Sequence, residues 1–382
     1  MSLRFVIIGG GPAGTQAATV AARLGAQVTL IERDVVGGAA HLWDCVPSKA
    51  MIATGAAFGE FGTAAAMGLS ASDARIDLDA LRGRITGIVG RLEQSGRHLL
   101  ESQGVRIIMG TGRLVGPHQV EATTADGATE VTDADAVLVS TGSRPRIPDF
   151  AQPDGDRILT TRDAYPPREI PEHLIVIGSG VTGVEFVHMF SSFGSKVTLV
   201  VSRQQVLPNK DAEVAAVLED DFLRRGVVLL KGARAESIDR DGDRVVVRCD
   251  DGRVINATHA VLAIGSVPNT EDLGLETAGV ETDRGGYVTI NHNCQSNVAH
   301  IYVAGDVSGK LPLSSVAAMQ GRKVAEHVMG LHSRPHRHLD YDKAASAIFT
   351  EPEIADVGLP EAEAFAAGRK IRVTKVPFSA TP

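Results

Sequence analysis

The chain has 382 residues, 43% of them apolar and 22% charged, which is enough for two or three buried cores and ordinary for a globular protein. A net charge of −8 gives no basic footprint, so nucleic acid and anionic membrane surfaces are poor partners. There is no apolar run of roughly 18 residues to span a bilayer, and the short, glycine-broken opening FVIIGGGPAG lacks the cleavage site of a signal sequence. Its three cysteines, Cys45, Cys249 and Cys294, are too scattered for a disulfide framework, which points to a reducing, cytoplasmic setting.

Arg4–Ile8 is a β-branched apolar run typical of a buried parallel strand. Gly9, Gly11 and Gly14 then give G-x-G-x-x-G, an alanine-rich helix is predicted over residues 15–24, and a second strand over 27–31 ends in Glu32. In such a unit the glycines let the backbone approach a pyrophosphate, the helix start faces its charge, and the acid takes hydrogen bonds from a ribose. Residues 37–49 read GGAAHLWDCVPSK, with Cys45 just ahead of a Pro-Ser-Lys turn.

Residues 77–101 carry Leu78, Leu81, Ile85, Ile88, Val89, Leu92, Leu99 and Leu100 at helical spacing and predict a packed scaffold helix. Short strands are expected over 105–109 and within 110–139, with turns at Gly116-Pro117 and Asp126-Gly127; Thr141-Gly142-Ser143 closes the block. The proline-rich stretch 145–171 reads as a linker crossing between domains.

Residues 174–177 repeat the opening: strand, then Gly178, Gly180 and Gly183 in the same spacing, helix, and strand Lys196–Val201. Two such units imply two dinucleotides and electron transfer between them. The second ends in Val201-Ser202-Arg203, with no carboxylate to repel a 2′-phosphate, so NADPH is tolerated; Arg203 either pairs with that phosphate or is a solvated surface arginine. Strands are expected over 227–230, 237–239, Arg244–Cys249 and 260–264, and Gly265 opens the closing Gly-Ser-Val-Pro-Asn. A strand over 301–304, Gly305-Asp306 and a helix over 313–328 follow. His327, His332, His336 and His338 lack the helical face and acidic partner of metal sites, so they read as a solvated linker and no metal is expected.

Together these motifs resemble the flavoprotein disulfide reductases, the family of lipoamide dehydrogenase and glutathione reductase. The resemblance rests on both glycine motifs, Pro-Ser-Lys, Val267-Pro268-Asn269, Gly305-Asp306 and SAIFTEPEIADVG from Ser346. It implies an α/β fold of two Rossmann-like units plus a partial α+β interface domain. Residues 1–148 and 268–338 would form the FAD domain, 149–267 the NAD(P)H domain, and 339–382 the start of the interface (dimerisation) domain. That last domain is expected to be truncated at Pro382, ahead of the family's His-Glu pair, with a homodimer where it is complete.

The resemblance also assigns site residues. Asp306 is expected at the flavin ribitol and the start of the helix at Leu313 and Ser314 at its pyrimidine, with Gly38, Gly112, Thr141, Gly142 and Gly265 among the cofactor contacts. Lys49 would stand beside flavin N5, paired with Glu185 near the nicotinamide. A cation about 4 Å from developing charge contributes on the order of 4 kcal/mol at an effective dielectric of about 20, roughly 90 mV for a two-electron couple. Cys45 matches the flavin-proximal cysteine and is either a tuner of the flavin or a small buried filler; His41 and Trp43 read as packing. The family segment is Gly-Gly-x-Cys-x4-Cys-x-Pro-Ser-Lys, and here Ala40 replaces its first cysteine. Disulfide exchange needs two thiols, so the relay is expected to be absent. Within the family the chain most resembles the lipoamide-dehydrogenase-like NAD(P)H quinone reductases, which implies hydride transfer to FAD and then two electrons to a quinone. A pyridine nucleotide transhydrogenase is the alternative, as is a signalling or structural flavoprotein without turnover.

Overall fold

A computed structural model describes residues 2–63, 67–68, 75–331 and 339–378. Two parallel sheets dominate it. The first has seven strands in the order Ile301–Val303, Ala136–Val139, Arg4–Ile8, Gln27–Glu32, Arg106–Gly116, Gln119–Thr124 and Thr129–Asp133. Its first five strands run parallel and the last two add an antiparallel meander. The second has five parallel strands in the order Val228–Lys231, Lys196–Val201, His173–Ile177, His259–Leu262 and Ile158–Thr160. Parallel strands covered on both faces need continuous apolar runs, and Phe5 to Ile8 and Leu174 to Ile177 are all buried. The α/β class with two Rossmann-like sheets is therefore borne out.

Helix α1 (Pro12–Arg23) begins three residues earlier than the sequence suggests, because proline is suited to a helix's first turn. Pro-Ser-Lys is likewise no turn; it lies in the first turn of helix α2 (Val46–Thr63), entered through a π-helical turn, Ala40–Asp44. Helix α3 (Leu78–Ser102) is capped by the Asp77 carboxylate, which accepts the Ala80 N–H at 2.9 Å. It buries Leu81, Ile85 and Leu100 and packs Val89 partly against the core but leaves Leu92 and Leu99 exposed, so the expected apolar face is covered only in part. The stretch 145–171 is not a plain linker: it supplies the edge strand Ile158–Thr160 and a 3-10 turn, Thr161–Ala164.

Helix α4 (Val181–Ser192) packs against α2, and α6 (Ser314–Val328), which follows α5 (Ala212–Arg224), packs along α1. The α1–α6 contact is closest where Gly321 of α6 meets Ala13 of α1. A Cβ on Gly321 would lie 2.0 Å from the Ala13 carbonyl oxygen. A hairpin of Ser346–Ile348 and Ile354–Asp356 and a short helix, α7 (Glu361–Ala366), follow α6. His332, His336 and His338 lie outside the described residues, among which no cluster of metal-binding side chains occurs and no helix is long and apolar enough to cross a membrane.

Replacing an exposed helical glycine by alanine gains about 1 kcal/mol. At Gly321 the new methyl meets backbone, and overpacking of this kind costs about 1–3 kcal/mol. The expected outcome is that Gly321→Ala destabilises the protein and lowers its flavin content, read by denaturant unfolding and by the flavin-to-protein absorbance ratio; unchanged values would show that α1 and α6 can part freely.

Candidate active site

A cleft of about 520 Å3 runs along the carboxyl ends of the first sheet, from the Gly9–Gly11 loop to the start of α6. Such crevices arise where strand order reverses, here between Arg4–Ile8 and Ala136–Val139. Gly9 adopts φ +103°, and a Cβ on Gly14 would sit 1.9 Å from the Gly9 carbonyl oxygen, so loop and helix approach as only glycines allow. Gly11 caps α1 without a side-chain hydrogen bond, and space beyond it is open, leaving the first helical N–H groups for an anion. Gly38 touches Gly11 and closes this end, while Gly112 packs on Ile8 and Ile31; both line the cleft.

Glu32 is buried on the wall. Its carboxylate accepts the Gly10 N–H at 2.6 Å and the Asp34 N–H at 2.7 Å. Burial raises its pKa and those two hydrogen bonds oppose the rise. It therefore braces the glycine loop as well as facing the cleft, a second duty the sequence did not reveal. Thr141 and Gly142 lie mid-cleft, where the Thr141 hydroxyl donates to the Asn269 carbonyl at 2.6 Å. Asp306 accepts the Ser143 hydroxyl at 2.6 Å. Ser314 lines the cleft with Pro312; Leu313, between them, caps α6 and is not on the wall.

Glycines at the close contacts, an uncapped helix start and polar groups down the length of the cleft fit an elongated dinucleotide with its pyrophosphate at α1. The second sheet repeats the cradle. Gly178 has φ +108°, a Cβ on Gly183 would lie 1.9 Å from the Gly178 carbonyl oxygen, and Gly180 caps α4 with open space beyond it. Gly265, at φ +91°, follows the neighbouring strand, and Ser202 and Arg203 are exposed where Lys196–Val201 ends.

Lys49 and Glu185 join the two halves. The Lys49 ammonium lies 3.0 Å from a Glu185 oxygen, and that carboxylate also accepts the Phe349 N–H at 3.1 Å. The Glu185 side chain is 6% exposed and Lys49 37%. The pair sits beside the cleft wall rather than on it. Cys45 is on the wall, half-buried; burial pushes its thiol up, while Lys49 and a hydrogen bond with Ser314 pull it down. The net rise supports the neutral thiol over a standing thiolate.

His41 and Trp43 part company. The His41 ring packs on Gly37 with its Nδ1 buried and unpartnered, whereas Trp43 lines the cleft, which the packing expectation missed. Also missed were Asp44 and Arg162, both on the wall. The Arg162 guanidinium lies 6.0 Å from the centre of the Trp43 ring and donates to the Ser143 carbonyl at 2.9 Å. Asp44 keeps open surface but is crowded by the walls, which push its carboxyl up to about 6; Arg162 opposes the rise, Asp306 adds to it and Lys49 opposes it.

This architecture belongs to the flavin-dependent pyridine nucleotide oxidoreductases. Residues 3–321 match the family described as pyridine nucleotide-disulphide oxidoreductase, and 344–382 match its dimerisation domain, so the chain is a member of that family. It is 45% identical to an NAD(P)H dehydrogenase (quinone) of Mycobacterium tuberculosis, over 99% of this chain and 78% of the relative. It is 33% identical to a dihydrolipoyl dehydrogenase of Zymomonas mobilis, over 98% and 81%. The crystal structure of LpdA from Mycobacterium tuberculosis superposes with a TM-score of 0.89 at 44% identity, covering 96% of this chain and 80% of LpdA. The flavoprotein disulfide reductase RclA of Escherichia coli shares the fold, with a TM-score of 0.86 at 24% identity over 100% of this chain and 82% of its own. The protein is a flavoprotein oxidoreductase that uses FAD and NAD(P)H.

Removing Lys49 strands the buried Glu185 carboxylate with the Phe349 N–H, a loss of about 1–3 kcal/mol. Lys49→Met is expected to destabilise by that amount, and the added change Glu185→Gln to recover much of it. A double-mutant cycle by denaturant unfolding reads the coupling; a coupling near zero would mean that the pair does not hold the halves together.

Proposed function

We propose that the protein oxidises NAD(P)H and passes two electrons to a quinone, without disulfide chemistry. The observation that carries this reading is the thiol inventory of the cleft. Ala40 starts the π-helical turn where an attacking thiol would stand, and Cys45 is free while Cys249 and Cys294 are free and buried elsewhere. A lone thiol with a raised pKa is a poor nucleophile and has no partner to form a disulfide with. Bound FAD supplies the hydride acceptor and the two-electron donor, so reduction of a small planar acceptor needs no thiol. The relative named NAD(P)H dehydrogenase (quinone) supports the choice of acceptor.

The chain's own residues bind, orient and tune. The loops at Gly9, Gly11 and Gly14 and at Gly178, Gly180 and Gly183 hold the two dinucleotides, with Glu32 and Asp306 on the flavin side. Lys49, fixed by Glu185, is the cation assigned to the flavin's reacting edge, and the glutamate offsets part of its roughly 90 mV effect. Ser202 and Arg203 admit the 2′-phosphate of NADPH, while NADH lacks only that group. Leu313 acts through the α6 backbone and Gly265 through its positive φ. The same reading includes a homodimer in a cytoplasmic setting, supported by the dimerisation-domain match, exposed Phe365, Val373 and Val376, and unpaired cysteines.

Stopped-flow absorbance tests the reading. NADPH is expected to bleach the flavin, menadione to restore it within the turnover time, and lipoamide to leave it reduced. Reduced flavin that persists with menadione but is reoxidised by thio-NAD would replace quinone reduction with transhydrogenation, and no bleaching at all would leave a structural flavoprotein.

A further inference from the structure

Of the acids lining the cleft, Asp44 and Asp272 make no side-chain hydrogen bond among the described residues, and Asp44 is the one that adjoins Trp43 and feels the Arg162 charge. Glu32 is tied by two backbone N–H groups, Asp306 by the Ser143 hydroxyl, and Glu271 by Arg144 at 2.7 Å. The Asp44 side chain has no hydrogen-bond partner among the described residues. Asp44 closes the π-helical turn and stands between Trp43 and Cys45. The charged and titratable groups around it are Arg162 from the 3-10 turn, the buried Tyr165 that ends that turn, Lys49 from α2, Asp306 from the first sheet's edge, and Cys45. Arg162 keeps its buried Nε without a partner. One end of the cleft thus presents an aromatic face, a cation with an unused donor, and an unpaired acid. With the flavin filling the rest of the cleft, that set suits a planar acceptor bearing carbonyl oxygens stacked beside it.

We propose that Asp44 is the proton donor of the acceptor half-reaction, with Trp43 and Arg162 seating the acceptor's carbonyl beside it. The proposal rests on the quinone reading. Converting a quinone to a hydroquinone takes two electrons and two protons, and a hydride brings two electrons with only one proton. The second comes from Asp44: its O–H bond breaks, the bonding pair stays on the carboxylate, and a new O–H bond forms on the acceptor oxygen. Water returns the proton through the open surface of Asp44. A carboxyl held up to about 6 by burial retains its proton on about a tenth of molecules at pH 7, and a general acid is most effective when its pKa lies near the working pH.

The test compares two oxidants on the prereduced holoenzyme: menadione, which takes up protons, and ferricyanide, which does not. In the wild type, menadione reoxidation should slow as pH rises above about 6 and show a solvent isotope effect, with ferricyanide reoxidation flat over the same range. Asp44→Asn should cut the menadione rate relative to ferricyanide by about 100-fold and abolish the limb. Arg162→Met should move the limb to higher pH, since the cation that holds the carboxyl down is gone. Difference infrared spectroscopy of the wild type gives a readout apart from turnover: a protonated carboxyl band that titrates near pH 6. Should Asp44→Asn fail to retain flavin, the wild-type pH limb, isotope effect and infrared band still decide. A wild-type menadione rate without limb or isotope effect, or an unchanged profile in Asp44→Asn, overturns the role of Asp44 alone. Failure of menadione to reoxidise the wild type at any pH overturns the quinone reading instead.

Discussion

Backbone meets backbone on both sides of α1, and the rest of the site depends on it. On one side Gly14 lies against the Gly9 carbonyl; on the other Gly321 lies against the Ala13 carbonyl, with no room for a side chain at either contact. These contacts pin the start of α1 to the end of the first strand and draw α6 alongside. Two helix starts therefore open on one cleft, one beside Gly11 and the other beside Ser314. Dipoles fixed in this way favour negative charge at the pyrophosphate and at the flavin end of a bound dinucleotide.

The segment between the two halves is where this chain departs from a dithiol enzyme. Its π-helical turn adds a residue to the helical repeat, a distortion that often marks functional sites. The turn brings Trp43, Asp44 and Cys45 to the cleft wall while Ala40 lines it without a thiol. Lys49, one turn on, is paired with Glu185 beside the wall, and Glu185 also accepts the Phe349 N–H. A single buried carboxylate thus links a helix of the first half, a helix of the second, and the segment that opens the dimerisation domain.

Both nucleotide cradles were legible in the sequence, because glycine spacing and apolar runs report directly on backbone approach and buried parallel strands. Arg4–Ile8 and Lys196–Val201 fall where the pattern puts them. Lys49 and Glu185, far apart in sequence, were paired only through the family resemblance, as no local pattern encodes an ion pair between helices. Arg162 could not be read at all: it lies in a proline-rich stretch that looks like a linker, and in the fold that stretch forms an edge strand and a 3-10 turn that set it beside Trp43. Asp44 escaped because its effect comes from what surrounds it. Leu92 and Leu99 misled for the converse reason, since periodicity marks a face as apolar whether or not a neighbour covers it.

The first sheet is also finished late. Its strand Ala136–Val139 is flanked by Arg4–Ile8 and by Ile301–Val303, and the whole second sheet is encoded between them. At about 5–20 residues per second, a ribosome needs on the order of 10–30 seconds to cross residues 140–300. Throughout that interval Ala136–Val139, apolar at every position, remains an open edge able to pair with another nascent chain. The order of the gene thus sets a window in which a chaperone, or rapid folding of the inserted half, protects the strand until its partner is made.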